Sequence, residues 1–388
     1  MEKLQLIATT VFGVESVVAR ELKWLGYDDQ FVENGKVTFS GDFEAIAKTN
    51  IGLRCAERVL LKMGEFRATT FEELFEKTKA LEWEKWLPVD ANFPVEGKSV
   101  NSTLFSVPDC QAIVKKAIVE RLKTKYKCSW FSETGPRYKI EVALLKDMAT
   151  LTIDTSGLGL HKRGYRKLVG VAPIKETMES AILNISRWKP DRALIDPFCG
   201  TGTFPIEAAM MALNMAPGLN RDFDAKHWKN IPKKIWDDQI ELAKSLIKND
   251  ATVRISGSDI DDNVMSLARY HAKLAGVDSK IHLQRLPMKE ISSRYKYGFI
   301  ICNPPYGERI GEQRELQRLY KEMGRTFRNF DTWSYYIISS MENFEKLFGR
   351  KADKKRKLYN GRLQCNLYQY FGERPPKREI ENKEGVEF

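Results

Sequence analysis

The chain has 388 residues, 43% of them hydrophobic and 30% charged, with a formal net charge of +11. That length allows two or three domains with cores of their own, while the absence of any apolar run near the roughly 18–20 residues of a membrane span argues against a membrane protein. The positive balance favours a polyanionic partner; six scattered Cys without a Cys-x-x-Cys pair, together with four dispersed His, argue against a zinc site or disulfide framework and point to the reducing cytoplasm.

The amino-terminal Met1-Glu2-Lys3-Leu4 has no secretory pattern. Residues 1–65 read as strand, helix, strand, strand, helix, strand, the order of a small α+β ferredoxin-like unit. Leu4–Ala8 is a short apolar strand. Gly13–Leu25 carries Val14, Val17, Val18, Leu22 and Leu25 at helical spacing. Lys36–Phe39 alternates as a strand, Asp42–Asn50 reads as a helix capped by Asp42, and Arg58–Met63 is a closing strand.

Residues 66–155 form a second segment. A helix is expected over Thr70–Leu81 and a strand over Ser99–Thr103. A basic amphipathic helix is expected over Gln111–Tyr126, with Ile113, Val114, Ala117, Ile118 and Leu122 on its buried stripe. A hairpin over Tyr138–Asp154 turns at Lys146-Asp147. From Lys98 to Lys139 nine Lys or Arg face three Asp or Glu. A basic helix on a small sheet suits phosphates, which are held by charge and not by sequence.

Gly157-Leu158-Gly159-Leu160 reads as a hinge. From residue 162 onward strands and helices alternate. Strands are expected at Arg192–Asp196, Thr252–Asp259, Tyr297–Cys302 and Trp333–Ser339, and helices at Phe204–Leu213 and Asp262–Ala275. Such alternation implies a mostly parallel, Rossmann-like sheet with helices on both faces, whose ligands sit at the carboxyl ends of the strands. Near the carboxyl terminus, Lys346–Lys357 holds seven Lys or Arg against one Asp; it fits either a polyanion contact or a solvated loop between strands.

The chemistry-bearing residues fall at those strand ends. Asn303-Pro304-Pro305-Tyr306 follows Cys302. An amino group on an aromatic base is a poor nucleophile because its lone pair is delocalised into the ring. The Asn side-chain oxygen and a rigidly placed proline carbonyl can accept its hydrogens and localise that pair. Tyr306 offers a flat face for an extruded base. As a bare turn, Asn-Pro-Pro-Tyr would only close a strand.

Asp196-Pro197-Phe198-Cys199-Gly200-Thr201-Gly202-Thr203 opens a helix at a strand end. A dinucleotide site would need a third glycine where Pro205 stands and an acid about 20 residues on. The next strand-end acid, Asp259, lies 57 residues past Gly202. S-adenosylmethionine suits the pattern better: Asp196 can meet its amine and Asp259 its ribose hydroxyls. Each acid could instead merely cap the following helix. Cys199 and Cys302 are expected as small core residues.

Together these residues resemble the bacterial THUMP-domain methyltransferases of 23S ribosomal RNA, which act on the guanine 2-amino group. The resemblance covers essentially the whole chain. It is carried by His161–Arg166, Ala172–Thr177, Asp196–Thr203, Ala216-Pro217-Gly218 and Asn303–Arg309, and by Ser106–Asp109 before the basic helix. It implies a ferredoxin-like domain (1–65), a THUMP RNA-binding domain (66–155) and a Rossmann-like class I methyltransferase domain (162–388). It further implies that Asp196, Phe198, Gly200, Thr201, Gly202 and Thr203 line the methionine end of S-adenosyl-L-methionine and that Asp259 holds the ribose. Lys175 and Glu176 would belong to a helix capping that pocket, and Asn303, Pro304, Pro305 and Tyr306 would orient the target amine. The implied partner is 23S ribosomal RNA or a large-subunit precursor, with no membrane or metal and with RNA favoured over DNA. One departure stands out: Leu283–Met288 lacks the acid that the family usually places near the cofactor adenine. Two rival readings are methylation of the adenine 6-amino group and a non-catalytic RNA-binding assembly factor.

Overall fold

Two seven-stranded sheets organise the chain. The computed structural model describes residues 3–167, 174–306, 310–361 and 363–376, with backbone alone for 310–313. Ala172, Pro173, Gly307, Glu308 and Arg309 lie outside the described residues. Among the described residues no helix is long and apolar enough to cross a membrane.

The first sheet begins in the expected order: β1 (Leu4–Thr9), α1 (Glu15–Trp24), β2 (Gln30–Glu33), β3 (Lys36–Gly41), α2 (Phe43–Gly52) and β4 (Arg58–Arg67). Asp42 caps α2, its carboxylate accepting from the Ala45 amide at 3.0 Å. There follow α3 (Phe71–Lys79), β5 (Val95–Val100), α4 (Val107–Tyr126), β6 (Ile140–Leu145) and β7 (Met148–Asp154). The strand expected over Ser99–Thr103 lies earlier, at β5. The chain turns away at Asn101, which takes a φ of 50°, and the Ser102 hydroxyl donates to the Val100 carbonyl at 3.1 Å. The sheet order is β2-β3-β1-β4-β7-β6-β5. β4 pairs with β1 on one side and β7 on the other, so one uninterrupted sheet carries both amino-terminal segments.

Helix α4 starts at Val107, four residues before the expected Gln111, with Pro108 in its first turn, where a missing N–H costs nothing. Its stripe of Val114, Ala117, Ile118 and Leu122 is buried. Its cations are less free than the sequence suggests. Arg121 donates twice to Glu84, at 2.9 and 2.6 Å. Lys125 also reaches Glu84, Lys115 pairs with Glu133 and Lys123 with Glu120. The charge excess of this helix is therefore partly neutralised within the chain.

The glycine segment expected as a hinge is pinned on both sides. Arg58 donates to the Gly157 carbonyl. Arg221 donates to the carbonyls of Ser156 (3.1 Å), Leu158 (2.5 Å) and Gly159 (2.6 Å).

Beyond it come α5 (Glu176–Ser186), β8 (Leu194–Asp196), α6 (Thr203–Ala212), α7 (Lys233–Ser245), β9 (Ile255–Asp259), α8 (Asp262–Ala275) and β10 (Ile281–Arg285). The chain continues through β11 (Phe299–Cys302), α9 (Ile310–Phe327), β12 (Ser334–Ser339), α10 (Phe344–Phe348), β13 (Lys354–Asn360) and β14 (Leu363–Tyr370). The second sheet has the order β10-β9-β8-β11-β12-β14-β13. Its first five strands run parallel; β14 runs antiparallel to β12, and β13 antiparallel to β14. Lys354–Lys357 of the basic cluster lie in edge strand β13 and not in a loop; cations on an edge discourage pairing with another chain.

Two of the sequence patterns that carry the resemblance serve docking between the two halves. The Gly218 amide donates to the Ile51 carbonyl at 2.9 Å, and a Cβ on Gly218 would meet Ile51 Cα at 2.7 Å, so only glycine fits that approach. Arg163 is buried: its Nε lies 3.3 Å from Glu207 Oε1, and its Nη2 donates to the Arg54 carbonyl at 2.5 Å. Tyr165 donates to the same Glu207 carboxylate at 3.0 Å.

Candidate active site

The strand order reverses around β8, which has β9 on one side and β11 on the other. In open α/β sheets a crevice forms at the carboxyl ends of strands at such a point. Asp196 ends β8, Asp259 ends β9, and Asn303 follows β11, so three expected site residues converge there.

The loop from Asp196 to Thr203 is held by backbone bonds. Asp196 Oδ1 accepts from the Phe198 amide at 3.1 Å and Asp259 Oδ2 from the Gly200 amide at 3.2 Å. The Cys199 amide donates to the Ser258 carbonyl at 3.0 Å, and the Gly202 amide closes a turn on the Cys199 carbonyl at 2.7 Å. Gly200 and Gly202 take φ values of 51° and 86°, where side chains are disfavoured. They serve different ends. A Cβ at Gly202 would meet Ala268 Cβ of α8 at 3.1 Å, whereas nothing lies within 4 Å of one at Gly200. Gly202 permits helix packing; Gly200 leaves the loop backbone open to a ligand. Thr201 is half-buried and Thr203 is buried at the first turn of α6, whose amino terminus favours negative charge.

Asp196 is 1% exposed and has no cation partner among the described residues. Burial pushes its carboxyl well above the ordinary range, and the charge of Asp259 adds to the effect. Glu179 on α5, which sequence reasoning missed, is also buried, and its Oε2 has no hydrogen-bond partner among the described residues. Burial raises its carboxyl, with the charge of Asp196 next in importance. The signal was an acid inside the otherwise buried run Met178–Leu183. A buried carboxyl without a counter-charge, as at Asp196, favours a cationic ligand.

Asn303 Oδ1 is buried and likewise has no hydrogen-bond partner among the described residues. Beside it, Pro304 is buried and Pro305 exposed. Tyr320 of α9, another residue the sequence did not disclose, has its hydroxyl 2.9 Å from the Pro305 carbonyl and 3.2 Å from Ser339 Oγ. Tyr306 is half-buried; its hydroxyl accepts from Asn360 Nδ2 at 3.4 Å, and burial raises it to about 12. Cys199 and Cys302 are buried, and burial pushes both thiols well up, as suits core residues and not nucleophiles.

Lys175 and Glu176 stand apart in kind. Lys175 is the N-cap residue of α5, with its ammonium 2.6 Å from Glu57 of the amino-terminal half. Glu176 is buried and lies 3.1 Å from Arg166. Each is committed to a partner in the chain.

Residues 163–369 match the family model UPF0020, described as an RMKL-like methyltransferase domain. The chain belongs to this methyltransferase family. Residues 5–60 match an RlmL ferredoxin-like domain and residues 68–154 a THUMP domain. "Putative RNA methyltransferase YpsC" of Bacillus subtilis is 48% identical, over 98% of this chain and 100% of its own. A crystal structure described as "a predicted N6-adenine-specific DNA methylase" from Listeria monocytogenes is 51% identical, with a TM-score of 0.92 over 96% of this chain and 97% of its own. A crystal structure described as "SMU.472, a putative methyltransferase complexed with SAH" is 44% identical, with a TM-score of 0.92 over 97% of this chain and 100% of its own. The fold expected from the sequence, a class I methyltransferase domain behind ferredoxin-like and THUMP segments, is the fold of this family.

Proposed function

We propose that this protein transfers a methyl group from S-adenosylmethionine to the exocyclic 2-amino group of a guanine in 23S ribosomal RNA. The observation that carries the amine chemistry is the buried, unpartnered Oδ1 of Asn303 among the described residues. A buried acceptor without a donor costs about 1–3 kcal/mol, and an aromatic amine is a donor that would satisfy it.

The residues present fit the methyl donor. Asp196 lacks a counter-charge, Gly200 leaves the loop open, and Asp259 already orders that loop through the Gly200 amide. Asp196 would take the amine of the donor, with Phe198 and Thr201–Thr203 around it, and Asp259 the ribose hydroxyls. Lys175 and Glu176 would keep α5 in place beside the loop. When bound, S-adenosylmethionine supplies an electrophilic methyl group on sulfur. Asn303 Oδ1 and the Pro304 carbonyl would each accept one hydrogen of the target amine, turning its lone pair out of the ring. Tyr306 would stack on the base, whose extrusion costs a few kcal/mol. No step uses a thiol.

RNA as substrate is supported by the THUMP match and by the printed name of the Bacillus subtilis relative. Guanine and 23S RNA rest on the family resemblance, and a cytoplasmic setting on the six scattered Cys without a Cys-x-x-Cys pair. The domains are read as 1–65, 66–155 and 162–388.

The test is mass spectrometry of ribosomal RNA nucleosides from a deletion strain. The 2-methylguanosine level should fall, return with the wild-type gene and stay low with Asn303→Ala. An unchanged level would sink guanine as the target, and a loss of 6-methyladenosine instead would move the reaction to adenine.

A further inference from the structure

We propose that a cleft on the side of the second sheet opposite the candidate active site binds the phosphodiester backbone of RNA. This rests on the RNA reading above. The cleft measures about 560 Å³ and lies where α1, the carboxyl end of α5 and the β13 edge meet. Its walls carry Arg20, Arg187, Arg192, Lys354, Arg356 and Arg374, against one carboxylate, Glu373.

These six cations share one property. None forms an ion pair with another described residue, whereas two nearby cations do: Lys355 pairs with Glu345 at 2.9 Å and Arg350 with Asp353 at 3.3 Å. Several are nonetheless oriented by neutral groups. Arg356 donates to Ser16 Oγ at 3.2 Å and Arg20 to the Asn184 carbonyl at 3.1 Å. The Arg192 guanidinium lies 5.5 Å from the Phe299 ring centroid. Such contacts aim guanidinium groups without cancelling their charge. Packing six cations around one cleft is repulsive unless an anion joins them.

Position separates this cleft from the base pocket. Arg192 precedes β8 and Phe299 starts β11, at the amino ends of the strands whose carboxyl ends carry Asp196 and Asn303. At about 3.3 Å per strand residue, the two sites are on the order of 10 Å or more apart. An anion in the cleft therefore belongs to a part of the substrate remote from the reacting base, which requires a polyanion. Two further observations favour nucleic acid. Trp24 is 68% exposed, with the Arg20 guanidinium 5.3 Å over its ring, an arrangement suited to a stacked base. Most cations of α4 have carboxylate partners in the chain, which leaves backbone binding to other groups.

The test compares wild type with Arg187→Glu/Arg356→Glu in binding to a 23S ribosomal RNA transcript at several salt concentrations, with calorimetry of S-adenosylhomocysteine alongside. The expected result is at least a tenfold loss of RNA affinity and a logarithmic salt slope shallower by roughly 1.5–2, as for two lost phosphate contacts, with cofactor-product affinity unchanged. Should the charge reversal prevent folding, Arg187→Gln/Arg356→Gln must shift the slope in the same direction. Unchanged RNA affinity and slope in a variant that still binds S-adenosylhomocysteine would overturn this site alone. Failure of the wild-type protein to bind the transcript would overturn the RNA reading as well.

Discussion

The Tyr320 hydroxyl reaches the Pro305 carbonyl at 2.9 Å from a side chain with no exposed surface. Ser339 Oγ lies 3.2 Å from the same hydroxyl and accepts from the Met341 amide at 3.1 Å. The tetrapeptide after β11 is thus moored to the end of β12, and the direction of its carbonyls depends on a residue that is not expected to touch the base.

Tyr320→Phe removes that mooring and little else. We expect the methyl-transfer rate to fall by about tenfold or more, since a small misplacement is costly in a positioned reaction, with S-adenosylhomocysteine affinity within twofold. Stability should drop by about 1 kcal/mol. Single-turnover transfer with calorimetry checks both; an unaltered rate would make Tyr320 purely structural.

Asp259 accepts from the Gly200 amide and is read as the ribose acceptor. Asp259→Ala should weaken S-adenosylhomocysteine binding by about 10- to 100-fold, the range for charge-assisted hydrogen bonds of roughly 1.5–3 kcal/mol. Titration calorimetry decides, and affinity equal to wild type would remove Asp259 from the cofactor site.

Glu179 carries a pH consequence. Burial raises its folded carboxyl above the unfolded value, so the folded chain binds more protons between the two. Stability then falls as pH rises through that window, from about 4.3 upward. Glu179→Gln removes this share, while Asp196, raised in the same direction, keeps some of it. In ligand-free protein the melting temperature of the variant should gain on wild type between pH 5 and 8; parallel curves would refute the argument.

Arg163 and Glu207 form a buried pair between the linker and α6. Arg163→Ala leaves an unpaired buried carboxylate and should cost about 3–5 kcal/mol, seen as a lower urea midpoint. Arg163→Met/Glu207→Leu should cost less than the two single changes added together.

The strand ends and the glycine loop were legible because they join short-range patterns: apolar runs, positive-φ glycines and acids at fixed spacing. The expected helix Asp262–Ala275 is observed with those bounds. What remained hidden depends on chain segments far apart in sequence. The pairing of α4 with Glu84 lies 37 residues away, and Tyr320 meets Pro305 only because α9 packs beside it. Ala216-Pro217-Gly218 carried the resemblance with no role attached to it, because sequence does not separate a glycine needed for docking from one needed for a ligand.

The unbroken first sheet has a mechanical meaning. Strand β4 hydrogen-bonds at once to the ferredoxin-like and THUMP-like segments, and Arg221 and Arg58 clamp the passage to the second sheet. The amino-terminal half therefore has no easy swivel. Whatever it grips is presented to Asn303 at a set reach, so the protein can select its target as a caliper does, by the span between the gripped feature and the modified position.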